Sequence, residues 1–296
     1  MIKKIKLYNI LFVAICSLAL IITLVPLIWI LAEVIANGIS AISFSLLTNL
    51  PAPPGIPGGG IGNYIQGTII LSAVASLIGF PVGLLMGIFI SEYREHKFAP
   101  VVRFFVDVFA EFPAIVIGIF VYVIIVRGDI FKLFGINALC LGSICIGPTG
   151  FSAIAGSISL ALLMIPIVTK SVEEALNLVP TSIKEAALAM GMPRWRMVLT
   201  ISLSYARGGL ILSYILALSR IAGEAAPLLL TVLGSFYWFT SFYDRIGALP
   251  LAIFTYGLSP YEDYRAQAWA ASLLLILVVL ILNIALRILI ERRMIR

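Results

Sequence analysis

The sequence predicts an all-α integral membrane protein of six transmembrane helices, with the N- and C-termini cytoplasmic. Three observations carry this. First, 61% of the residues are hydrophobic and 11% are charged, with a mean hydropathy of +1.13. Soluble domains carry about 25% charged residues, so the solvent this chain requires is a bilayer. Second, apolar runs recur at 10–31, 68–90, 104–126, 150–168, 209–233 and 268–290, and about 20 helical residues span the hydrocarbon core. Third, if the N-terminus is inside, fifteen of the 20 Lys and Arg residues fall in inner segments or inner helix ends. Four, Arg127, Lys132, Arg245 and Arg265, fall outside, and Arg220 lies within the fifth run. The positive-inside rule then fixes the orientation. Continuous runs of this kind fit helices, which satisfy their own backbone in lipid, and not the alternating ten-residue strands of a barrel.

The first run follows Lys3, Lys4 and Lys6. It is longer than the roughly 7–15-residue apolar region of a secretory signal and reads as an uncleaved first helix. Residues 37–67 contain PAPPG and PGGGIG, a Pro and Gly density that predicts irregular structure. The glycines at 58–60 and 62 follow no strand and precede no Gly-Lys-Ser/Thr, so they read as turns and not as a phosphate cradle. In the second run Gly79, Gly83 and Gly87 recur every four residues on one helix face, which predicts a close helix–helix contact with an unidentified partner. Gly118, Ala153 and Gly156 serve close packing in the same way. No shift of composition divides the chain, which reads as one transmembrane domain over 1–296.

Cys16, Cys140 and Cys145 are an odd number of cysteines. The spacing of Cys140 and Cys145 allows a bridge without establishing one, and all three are expected to be buried free thiols. His96 is the single histidine. With no paired carboxylates, Cys-x-x-Cys or Ser/His/Asp constellation, no catalytic residue, metal ligand or cofactor is assigned. No Gly-x-x-x-x-Gly-Lys-Ser/Thr occurs, so any nucleotide site belongs to another chain.

Between the fourth and fifth runs lies an inner loop, 170–208, whose stretch Pro180 to Leu210 is too polar for the bilayer. It reads as two short helices. Ser182 and Glu185 have capping-box spacing. Ile183, Ala186, Ala187 and Met190 form one apolar stripe. Gly191 stands where a helix end requires a left-handed residue, and Pro193 suits the first position of the next helix, which carries Arg194, Trp195 and Arg196. Such a helix fits a groove on another protein or rests amphipathically on lipid headgroups; the residues alone support both.

Arg220 and Glu224 stand four apart inside the fifth run, on one helix face. A charge at mid-bilayer costs roughly 2.5–3.5 kcal/mol on insertion scales. Either the two neutralise each other or a neighbouring helix and hold the bundle together, or they line or gate the path of a charged solute. Pro227, three residues on, can kink the helix, as a packing bend or as a bend beside a gate.

Two of these stretches carry a family resemblance. Glu185-Ala186-Ala187, Gly191 and Ile201-x-Leu203 resemble the EAA loop by which ABC-importer permeases couple to a cytoplasmic ATPase; Ser204 stands where that family usually has proline. Arg220-x-x-Gly223-Glu224-x-Ala226-Pro227-Leu228-Leu229 resembles the signature of the PstA-type permease of phosphate ABC importers. Ile221 and Ala222 are swapped relative to that signature, and Ala225 replaces its threonine. Pro113-Ala114-Ile115-Val116-x-Gly118 and Leu163–Val168 agree with the same family. The resemblance implies the type I ABC-importer permease fold and coupling through Glu185, Ala186, Ala187 and Gly191. It also implies a second permease of the PstC type, two copies of a cytoplasmic PstB-type ATPase and an extracytoplasmic PstS-type phosphate-binding protein. Arg220, Glu224 and Pro227 are the candidates for the translocation path or its gate. A permease for sulfate or molybdate, and an autonomous secondary transporter or channel, are the alternatives.

Overall fold

The structure is a computed structural model and describes residues 2–56, 58–129, 133, 139–141, 144–146 and 148–294. In chain order its helices are α1 (Ile2–Ala41), α2 (Phe44–Thr48), α3 (Gly62–Glu92), α4 (Ala99–Glu111) and α5 (Ala114–Val121), the last continued by a π turn, Tyr122–Val126. A short antiparallel hairpin, β1 (Leu139–Leu141) with β2 (Ile144–Ile146), precedes α6 (Ala153–Asn177). Then come α7 (Thr181–Ala189), α8 (Arg194–Met197), a π turn at Val198–Ser202 and α9 (Leu203–Ala222). The chain closes with α10 (Ala226–Thr231), α11 (Leu249–Gly257) and α12 (Glu262–Met294). Among the described residues five helical stretches are long and apolar enough to cross a membrane: Tyr8–Ala41, Gly62–Glu92, Ala153–Asn177, Arg194–Ala222 and Glu262–Ala285. A sixth is broken.

The centre of the bundle is the pair α3 and α6, which run parallel. Gly79 meets Ala161 and Met164, Gly83 meets Ile165 and Val168, and Gly87 meets Thr169 and Val172; an added Cβ would stand 2.8–3.0 Å from these atoms. The glycine face expected from the sequence therefore has its partner in α6, where bare backbone admits the Val and Met side chains. Thr169 donates its hydroxyl to the Gly83 carbonyl at 3.2 Å and to Ile165 O at 2.8 Å, so its buried oxygen is satisfied. Leu71, Leu160, Met164, Val168, Ile221 and Leu228 bury around this seam. α9 packs back antiparallel, with Gly209 on Ala175 and Tyr214 edge-on to Phe80.

Two expected spans are not continuous helices. The run 104–126 is divided between α4 and α5, which meet at 104°. Phe112 and Pro113 are extended, with ψ of 131° and 135°, and the proline has no amide to continue the α4 ladder. Pro81 and Pro166, by contrast, lie inside uninterrupted helices. The run 209–233 lies within α9 and α10. Gly223 closes the last turn of α9, and Pro227 falls in the first turn of α10, where its missing N–H has no helical acceptor to serve. The expected kink at Pro227 is thus a break three residues earlier, with Pro227 starting a new helix.

α1, at 40 residues, spans about 60 Å at 1.5 Å per residue. It touches α12 near its Ala41 end, where Gly38 meets Leu273 and the Trp269 carbonyl. Most of the remainder stands clear of the bundle. Cys16 is consequently a free thiol exposed on α1, not the buried one expected. Cys140 and Cys145 face each other in backbone register; their side chains lie outside the described residues.

Candidate functional site

The first concentration of charged groups lies where α3 and α6 finish. α7 begins directly after Pro180, whose extended backbone (ψ 132°) sets the helix start. Ser182 is therefore already inside the first turn, and the expected capping box with Glu185 does not form; no side chain caps α7. Gly191 has φ +82°, the left-handed conformation expected of it. Pro193 is the residue before α8 and not its first member, its carbonyl accepting from Arg196 and Met197 N–H.

α7 and α8 fold onto each other around Ala187, which is 1% exposed and packs with Met197 and Val198. The expected docking stripe therefore splits. Ala187 faces its own chain, whereas Ile183, Glu185, Ala186 and Met190 remain exposed. α7 leaves a small apolar surface with one carboxylate exposed, Ala187 supports it from beneath, and α8 adds the exposed Arg194, Trp195 and Arg196.

The hairpin is anchored by a residue that the sequence reading did not single out. Glu92, the last residue of α3, is 4% exposed at its side chain and accepts from Lys184 Nζ at 2.7 Å. Lys184, 16% exposed, also donates to the Leu176 carbonyl at 3.4 Å. Arg194 donates to the Glu92 carbonyl at 2.6 Å, and its guanidinium lies over the Tyr93 ring. Both helices of the hairpin are thereby tied to the end of α3. Asn177 joins the end of α6 to the same corner, its side-chain oxygen accepting from Ser91 and Arg94. The sequence did carry a signal for Glu92: an acid closing an apolar run ahead of a basic loop. Without the fold its partner had no address.

α4 lies alongside. Arg103 pairs with Glu173, and Asp107 with Lys170 at 3.0 Å. A cavity of about 480 Å³ opens among α3, α4 and α6, lined by Arg94, Arg103, Asp107, Glu173 and Asn177.

The second concentration is the break between α9 and α10. Gly223 N–H donates to the carbonyls of Arg220 and Ile221, and Glu224 N–H to Ile221 O at 3.3 Å. Glu224 thus sits in the gap and not on the continuous helix face expected. Its carboxylate is still 3.7 Å from Arg220 Nη2. Arg220 is 63% exposed at its side chain and Glu224 21%. Pro227 is buried, and Gly118 of α5 lies so close that an added Cβ would stand 2.7 Å from Pro227 Cα. The broken third run therefore packs directly on the broken fifth. Thr231 returns its hydroxyl to the Pro227 carbonyl at 2.8 Å, and its own carbonyl accepts from Ser152 N–H at the start of α6. Irregular backbone inside an apolar run is tolerated where it is buried in protein or lines a wet cavity. Among the described residues no cluster of three or more His, Cys, Asp or Glu has metal-site geometry.

Comparison with known proteins matches this architecture. Residues 79–296 match the family model described as "Binding-protein-dependent transport system inner membrane component". The phosphate transport system permease protein PstA of Yersinia pestis is 40% identical over 268 residues, covering 90% of this chain and 84% of that protein. The PstA of Pasteurella multocida is 37% identical over 96% of this chain and 94% of its own length. Among solved structures, a bacterial alginate ABC transporter in complex with its alginate-bound periplasmic protein aligns with TM-score 0.68 at 17% identity, over 96% of this chain and 94% of that one. The MetNI methionine ABC transporter in an inward-facing conformation aligns with TM-score 0.57 at 20% identity, over 79% of this chain and 94% of that one. At those identities the structures establish the type I ABC-importer permease fold, and the relatives establish kinship. The chain belongs to the binding-protein-dependent transport system inner membrane components and, among them, to the PstA permeases.

Proposed function

We propose that this chain is one of two membrane-spanning subunits of an ATP-driven importer of inorganic phosphate. The observation that carries this reading is the match to phosphate-transport permeases over nine-tenths of the chain, joined to a hairpin that presents Ile183, Glu185, Ala186 and Met190 outward. The hairpin faces the cytoplasm, as do both termini, and docks on one of two PstB-type ATPase subunits. A PstC-type permease completes the translocation path, and a PstS-type binding protein delivers phosphate from outside. ATP closes the ATPase pair, the hairpin moves with its docked partner, and the spans re-tilt to open outward.

In this reading Arg220 and Glu224 line the path at the break between α9 and α10, with Pro227 fixing where α10 begins. A largely exposed arginine inside a span is stable where water or a partner chain covers it. Glu224 beside it disfavours a permanent anion trap, because a carboxylate repels phosphate. An arginine that exchanges its carboxylate partner for the passing anion fits both residues.

The test is uptake in proteoliposomes holding both permeases, the ATPase and the binding protein. ATP-dependent accumulation of labelled phosphate, resistant to excess sulfate and molybdate, is expected. Competition by sulfate or molybdate assigns another oxyanion, and uptake without ATP or partners would overturn the importer reading.

A further inference from the structure

α4 joins the two charged regions. At one end it rests on the last turns of α6, which lead through only three residues, Leu178 to Pro180, into α7. At the other end it turns through 104° at Phe112–Pro113 into α5, and α5 places Gly118 on Pro227 with no room for a Cβ. A displacement of the α6 end therefore has a packed route to the break at Gly223–Ala225.

The contact between α4 and α6 is built for register. Arg103 and Asp107 stand one turn apart on α4, and Lys170 and Glu173 about one turn apart on α6. The pairs are Arg103–Glu173 and Asp107–Lys170. The signs alternate, so sliding α4 by a single turn would bring Arg103 toward Lys170, like charge against like. All four side chains are partly exposed except Glu173, which is more enclosed; pairs of this kind are individually weak and readily exchanged. The nearby Lys184–Glu92 pair is buried and suits a permanent joint.

We propose that Arg103, Asp107, Lys170 and Glu173 are positioning residues for coupling: their paired ion contacts make α4 a strut that carries movement of the α7–α8 hairpin to the break beside Glu224. The proposal rests on the importer reading above. A chain of contacts by itself shows only that the residues lie between two sites, so the test must measure coupling energy between partners.

The experiment uses the complete reconstituted complex and reads phosphate taken up per ATP hydrolysed. Arg103→Glu is expected to lower that ratio by about tenfold while the complex assembles and hydrolyses ATP, the order expected when one coupling contact is lost. Combining it with Glu173→Arg restores the ratio to within about threefold of wild type, because the pair is re-formed with its signs exchanged. An unchanged ratio in Arg103→Glu overturns the proposal. So does a parallel fall of uptake and hydrolysis, which marks a merely structural contact. If Arg103→Glu does not assemble, Arg103→Gln removes the pair without adding repulsion: a lowered ratio supports the strut and a wild-type ratio overturns it. Failure of the wild-type complex to take up phosphate with ATP sinks the importer reading, and the strut with it.

Discussion

The hairpin end and the break between α9 and α10 hold their charges in opposite ways. At the hairpin end, Lys184 and Glu92 are enclosed at 2.7 Å, and Arg194 adds a hydrogen bond to the Glu92 carbonyl. At the break, Arg220 and Glu224 are 3.7 Å apart and the arginine is mostly uncovered. The first is an enclosed joint, in which Lys184 also donates to the Leu176 carbonyl. The second is a loose pair standing where the helix has come apart, free to exchange partners. In the importer proposed above, the first suits a part that moves as a rigid piece and the second a part that rearranges.

Substitutions sharpen that contrast, in descending order of effect. Lys184→Met leaves Glu92 buried without its counter-charge, and removing one member of a buried pair costs about 3–5 kcal/mol. Thermal unfolding of the purified complex should show the loss, and Lys184→Met with Glu92→Leu should recover most of it. If Lys184→Met is silent, the pair is not a joint. Ala187→Asp places an unpartnered carboxyl against Met197 and Val198, at a cost of about 2–3 kcal/mol; limited proteolysis should then cut the hairpin. Ala186→Asp, one residue away and exposed, should leave the hairpin intact and weaken co-purification with the ATPase. Equal behaviour of these two variants would mean that the hairpin is not packed as described. Arg220→Gln should change stability least, by less than about 1 kcal/mol for so open a pair, while lowering phosphate uptake. A large loss of stability there would return Arg220 to a purely structural role.

The membrane class and the polar hairpin are legible in the sequence because both rest on composition and on single-residue conformational demands. Gly191 had to be left-handed, and it is. The glycines of the second span announced a close contact, although only the fold names α6 as its partner. Breaks within spans are harder to read. Pro26, Pro81, Pro113 and Pro166 all interrupt apolar runs, yet only Pro113 ends a helix. Proline removes one hydrogen bond in every case; what decides the outcome is whether neighbouring packing holds the preceding residue helical, and that is tertiary information. The same limit hid Glu92, Arg103 and Asp107, whose partners stand 92, 70 and 63 positions away in sequence. It also hid the burial of Ala187: a helical stripe shows which residues share a face without showing which of them the chain keeps for itself.

The central claim is that α7 presents Glu185 and Ala186 to a cytoplasmic motor while Ala187 stays within the chain. A photo-crosslinking side chain placed in turn at 185, 186 and 187 of the full complex in native membranes tests it most directly. The account predicts crosslinks to the ATPase from 185 and 186 and none from 187. Crosslinks from none of the three, or labelling of position 185 by a membrane-impermeant reagent added outside intact cells, would contradict it.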